Sequence, residues 1–114
     1  MTGQWRVRLS DAANTDFAHI LVWTENQFGA AQAEAYEEIV RTAIRELVQG
    51  PNIRGARARN DVAPGFMTLH VARHGRRARH FLLFRVGERQ RRIEIVRILH
   101  DSMDLKRHLP RSEE

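Results

Sequence analysis

The stretch Arg92-Ile93-Glu94-Ile95-Val96-Arg97-Ile98-Leu99-His100 reads as a β-strand. Four of its nine residues are β-branched, a side-chain shape that suits a pleated surface better than a helix. A period of two predicts Ile93, Ile95, Arg97 and Leu99 on one face, opposite Glu94, Val96, Ile98 and His100. Working back along the chain, residues 79–86 contain Phe81-Leu82-Leu83-Phe84, an apolar run that suits a central strand covered on both faces. Residues 66–72 alternate, with Met67, Leu69 and Val71 together. Gly75 and Gly87 mark the turns, so residues 66–100 predict a three-stranded meander.

The first half follows different periods. Trp5, Val7 and Leu9 alternate with Arg6 and Arg8, as in a half-buried strand. Ser10 or Asp11 then offers an N-cap oxygen to a helix whose Ala13, Phe17, Ile20, Thr24 and Phe28 share one face. Gly29 breaks that helix. A second, over about 30–49, carries Tyr36, Ile39, Val40, Ala43 and Leu47 as its stripe, and Gly50-Pro51 ends it. Helices joined by so short a break fold back as an antiparallel hairpin. Residues 51–65 form the one long irregular stretch, and Asp101 caps a helical turn over 101–105 before Pro110. The order β-α-α-β-β-β predicts an α+β fold: a helical hairpin packed on one face of a small, mainly antiparallel sheet. One domain is expected over 1–110, with 111–114 as a tail.

A chain of 114 residues builds one small core, and with no cysteine it uses neither disulfides nor thiolate-bound zinc. The opening residues lack the apolar run of a signal peptide and no stretch has membrane-spanning length, so a cytoplasmic protein is expected, with no membrane partner. Charge is uneven. Residues 1–50 carry four arginines against seven acids, whereas residues 51–114 carry fifteen basic groups against seven acids. That asymmetry points to an anionic partner for the second half, leaving nucleic acid, an acidic protein segment and an anionic membrane open.

Three segments, in order, resemble the ParE branch of the RelE/ParE toxin superfamily. They are Ile20-Leu21-Val22-Trp23-Thr24 with Gln27-Phe28-Gly29, Ala33 and Tyr36; Gly50-Pro51 to Gly55 with Phe84-Arg85-Val86; and Ile95 to His100 with Met103-Asp104 and His108-Leu109-Pro110. The third is the most specific, since the family typically ends in Arg-Ile-Leu-His, Met-Asp and a His-Leu-Pro-like tail. The chain departs from the pattern at Phe84, often Tyr in the family, and in the long basic loop over 73–79. The resemblance implies the toxin of a type II toxin–antitoxin (ParDE-like, plasmid-stabilisation) module, neutralised in a hetero-oligomeric complex by a ParD-like antitoxin. It also implies inhibition of DNA gyrase, the target of the best-known ParE proteins. RelE-group members instead cut mRNA on the ribosome, and a member that binds antitoxin without toxicity is a third alternative.

RNA cleavage by the 2′-hydroxyl needs a base, an acid and cations around the phosphate. The sequence offers Arg73, Arg85 and Arg97 as cations and His100 as the titrating group. Arg97 and His100 lie three positions apart and so on opposite faces of a strand. Tyr36 reads as a core or hairpin-packing aromatic, Glu94 as a salt-bridge partner and His100 as a structural histidine capping its strand. His70, His74 and His80 have no carboxylate or thiol at ligand spacing, so they read as exposed polar residues and no metal is expected. Nucleotide-binding and nucleophile-elbow motifs are missing, and no cofactor is expected. An inhibitory binding protein with no catalytic residues is therefore expected; a ribonuclease would have to use Arg85, Arg97 and His100. Trp23, Phe28, Arg73 and Arg85 are expected to meet the antitoxin, and Arg97, His100, Met103 and Asp104 the target. Arginines at 54–59, 73–79 and 89–92 are expected to form a broad basic rim.

Overall fold

The computed structural model describes residues 3–103. Asp104, the end of the turn expected over 101–105, and the tail at 111–114 lie outside the described residues. The order of elements is β1 (Arg6–Leu9), α1 (Asp11–Phe28), α2 (Ala30–Glu46), a 3-10 turn (Leu47–Gln49), β2 (Arg57–Ala58), β3 (Phe66–His70), β4 (His80–Gly87) and β5 (Arg92–His100). The strands form one sheet in the order β1-β5-β4-β3-β2. β1 runs parallel to β5 and every other pairing is antiparallel.

Ser10 starts α1 and also anchors it. Its hydroxyl oxygen accepts from the Ala13 amide at 3.0 Å and its proton goes to the Val96 carbonyl at 2.9 Å, so one side chain caps the helix and ties it to β5. Gly29 alone links the helices. Its φ of 95° is one that L side chains rarely adopt, and this permits reversal within a single residue. At Gly50, φ is 115° and the Trp5 indole lies 3.1 Å from where a Cβ would sit, so both backbone and space favour glycine.

The sheet has an apolar layer on each face. Toward the helices, Leu69, Leu82, Phe84, Ile93, Ile95 and Ile98 meet Ala13, Phe17, Val40, Ala43 and Leu47. On the other face Phe66, Leu83, Val96 and Leu99 pack beneath Val62 and Ala63. The central-strand expectation for Phe81-Leu82-Leu83-Phe84 holds, because Leu82 and Phe84 face the helices while Leu83 faces away.

The strict alternation expected for β5 does not hold. Leu83 stands opposite Arg97 and Phe84 opposite Ile95, so Val96 is an extra residue in a β-bulge. The bulge inverts the phase: Ile98 joins Ile93 and Ile95 on the helix side, while Leu99 joins Val96 on the other. Smaller differences follow from pairing that local patterns do not carry. Arg57 and Ala58 gain a short edge pairing with Thr68 and Met67 inside the stretch expected to be irregular. α2 tightens to a 3-10 turn at Leu47, and in the last hairpin Arg91, with φ of 52°, takes the left-handed position rather than Gly87.

Leu83 is fully buried on the face without helices. Leu83→Ala should cost about 2–5 kcal/mol of unfolding free energy in chemical denaturation. A loss near zero would show that the second apolar layer contributes little.

Candidate functional site

The residues singled out by sequence do not meet at one point. Arg85, just over half exposed, lies on the face away from the helices, where it stacks over the Phe66 ring and donates to Glu94 at 2.8 Å. Arg97 reaches Asp16 of α1 through a two-pronged pair, Nε to Oδ2 at 2.8 Å and NH2 to Oδ1 at 2.9 Å. That partner raises the Arg97 pKa above its ordinary value. His100 projects to the opposite face, where its Nδ1 lies 2.8 Å from the Ser102 hydroxyl. Arg73 is mostly buried and committed inside the fold, with Nε 2.6 Å from Glu46 and a second donor on the Arg54 carbonyl. Met103 is exposed in the turn after β5.

One polar cluster escaped the sequence reading. At the end of the sheet Tyr36, His80 and His100 lie together, with His80 edge-on to both neighbouring rings. The Tyr36 oxygen accepts the Arg79 amide at 2.9 Å, which directs its own proton to His80 Nδ1 at 2.7 Å. Tyr36 packs against the core as expected and is also a buttress between α2 and β4. Of the three histidines expected to be exposed polar residues, His74 is exposed and bonds Glu46 at 2.6 Å, His70 is half-buried and bonds Asp101 at 3.0 Å, and His80 departs from the expectation by being partly buried. Positions 36 and 80 are linked only by tertiary packing, so no sequence spacing signals this pair.

Electrostatics in the cluster follow from burial and charge. Burial, then the neighbouring His100, pushes the His80 pKa down to about 4. Burial also raises the Tyr36 pKa. Hydrogen bonds from His70 and Arg79 hold Asp101 down at about 2. Neutral His80 is therefore the form that accepts the Tyr36 proton. Among the described residues no group of three or more His, Cys, Asp or Glu side chains is arranged to hold a metal.

Two further surfaces stand out. At the hairpin tip Val22, Trp23 and Phe28 are 58%, 58% and 64% exposed, with the Trp23 and Phe28 rings in edge contact at 5.9 Å between centroids. On the face away from the helices, Gly55, Arg57, Arg59, Thr68, His70 and Phe81 line a cleft of about 280 Å³. No helix among the described residues is long and apolar enough to cross a membrane.

A helical hairpin packed on a five-stranded mixed sheet defines a small α+β protein. Residues 7–105 match the family described as the ParE toxin of type II toxin-antitoxin system, parDE, and the chain belongs to that family. Toxin ParE1 of Mycobacterium tuberculosis is 34% identical over 105 residues, covering 91% of this chain and 97% of the relative. Toxin ParE1 of Caulobacter vibrioides is 28% identical over 102 residues, covering 90% and 95%. Among solved structures, the chromosomal ParDE system from P. aeruginosa superposes with a TM-score of 0.71 at 21% identity, over 87% of this chain and 98% of that one. The RelBE2 toxin-antitoxin complex from Mycobacterium tuberculosis gives 0.53 at 22% identity, over 88% and 93%. At these identities the two structures speak for the fold alone.

Because folding lowers the His80 pKa, the unfolded chain binds the extra proton between pH 6.5 and about 4. Stability is fully present above pH 6.5 and falls as the pH drops through that window. The loss should be on the order of 1–2 kcal/mol once partial exposure is allowed for. Denaturation midpoints across this range should show it, and His80→Gln should flatten the curve; an unchanged slope in the variant would remove His80 as the cause.

Proposed function

We propose that this toxin works by binding rather than by cutting: it inhibits DNA gyrase in the cytoplasm and is neutralised by a ParD-like antitoxin in a hetero-oligomeric complex. One observation carries the non-enzymatic reading. Arg85, Arg97 and His100, the set a ribonuclease would use, are divided between the two faces of the sheet, and Arg97 is held by Asp16. A phosphate cannot be gripped by cations on one face while a histidine on the other moves its proton. Gyrase as the target follows from the resemblance to ParE proteins and is consistent with a toxin that acts through its surfaces.

A second reading, ribosome-dependent mRNA cleavage, draws on the Tyr36–His80–His100 cluster, which supplies titrating groups beside the exposed Arg79. Weighing against it, the Tyr36 hydroxyl is bonded on both sides and Arg79 is paired with Asp101. Purified toxin should inhibit gyrase supercoiling and leave mRNA intact on translating ribosomes. Cleavage of mRNA abolished by His100→Ala would give the function to the ribonuclease reading instead.

The antitoxin is proposed to anchor at the hairpin tip. Exposed Trp23 and Phe28 form an apolar patch of the kind that marks a protein-binding site. An amphipathic acidic segment seated there has Arg85 and the other sheet arginines within the same small molecule for charge pairing. Arg73 contributes only if its bond to Glu46 opens. Trp23→Ala should leave the free toxin folded, since the ring is largely in solvent, and weaken antitoxin binding about tenfold or more in calorimetry. Unchanged affinity in that variant would move the antitoxin site elsewhere.

A further inference from the structure

Charge in this molecule is sorted by layer. The five strands carry six arginines, Arg6, Arg8, Arg57, Arg85, Arg92 and Arg97, against one acid, Glu94. The two helices carry seven carboxylates against Arg41 and Arg45. Side-chain alternation then decides where the strand arginines point. Val7, Leu9, Ile93, Phe84 and Val86 pack into the helix-side core, so Arg6, Arg8, Arg92 and Arg85 face away from it. The register puts Arg6 beside Arg92, Arg8 beside Glu94, and Glu94 beside Arg85. Arg57, paired with Thr68, stands on the same face at the far edge, next to Arg59 in the cleft. Among the described residues Arg6, Arg8, Arg57 and Arg92 make no ion pair; Arg85 shares Glu94.

We infer that this sheet face binds duplex DNA through its phosphate backbone. A row of arginines on adjacent strands, about 4.8 Å apart across the sheet and about 7 Å apart along it, presents repeated forks to a repeating anion. A protein partner would need apolar sockets in the same surface. Here the apolar residues Phe66, Leu83, Val96 and Leu99 of the face are buried, and among the described residues the exposed large apolar groups are Val22, Trp23 and Phe28 on α1 and Met103 in the turn after β5. A single strand would need exposed rings on which bases stack. Of the two aromatics on this face, Phe66 is buried under Arg85 and Phe81 is partly buried in the cleft. Phosphate contacts without base contacts make the binding independent of sequence. The inference does not rest on gyrase as the target, because the toxin alone should bind.

The test titrates the full-length toxin, without antitoxin or gyrase, into a fluorescent duplex of about 20 base pairs of arbitrary sequence. Four phosphates engaged should give a log–log salt slope of about −3 to −4. Arg6→Gln with Arg8→Gln should reduce the slope by about 2 and weaken binding about tenfold or more at low salt, with thermal unfolding unchanged. Arg85→Gln with Arg92→Gln, on the neighbouring strands, should do the same, and Trp23→Ala should bind as the wild type does. The proposal is overturned by a toxin that shows no salt-dependent DNA binding, or by both double variants binding normally. Tighter binding to single strands or RNA overturns it as well, and so does tighter binding to polyglutamate than to the duplex at equal charge.

Discussion

The Asp16 carboxylate holds the point on which the two layers agree. β1 ends at Leu9 while β5 runs on to His100, so the second half of β5 has no neighbouring strand on that side. Ser10 takes the Val96 carbonyl, and Asp16 accepts the Ile98 amide at 2.9 Å together with the two donors of Arg97. A helix side chain thus completes a strand edge that would otherwise leave a backbone donor unpaired, a defect worth about 1–3 kcal/mol. The pair is partly buried and two-pronged, the geometry in which an ion pair contributes most. By fixing α1 against the bulge at Val96, it also fixes which residues fill each apolar layer.

That bulge marks the limit of what the sequence could disclose. Helix starts and stops were legible because their causes are local: the Ser10 hydroxyl, Gly29 between the helices, Gly50-Pro51 after them. The strands were legible from their period, and Arg92–His100 was bounded correctly. An extra residue in a strand, however, is defined by its partner, and nothing within Arg92–His100 says that Leu83 will stand opposite Arg97 and Phe84 opposite Ile95. The parallel pairing of β1 with β5 is of the same kind, joining Arg6 to Arg92 across most of the chain.

The candidate site was less legible than the fold, for a related reason. Arginines and histidines were identifiable as types, but their roles come from partners far away in sequence: Arg73 from Glu46, Arg97 from Asp16, His80 from Tyr36. Arg73 and Arg97 were candidates for intermolecular contacts, and packing turned both inward. Trp23 and Phe28, candidates of the same kind, are exposed. Phe28 continues the stripe of Ala13, Phe17 and Thr24, which are buried, yet at the last residue of α1 it is 64% exposed.

Sorting charge by layer has a consequence that net charge does not convey. A total of +5 spread evenly would attract any polyanion weakly from every side. With carboxylates concentrated on the helices and arginines on the sheet, the molecule presents a positive face to an anionic partner and turns its acidic side away. The apolar tip belongs to the helical layer, so the two kinds of contact are separated in space. Apolar anchoring at the tip and ionic contact on the sheet then act on different parts of a partner. The exposed rings of Trp23 and Phe28 and the exposed arginines of the sheet are therefore different kinds of surface in different layers of the fold.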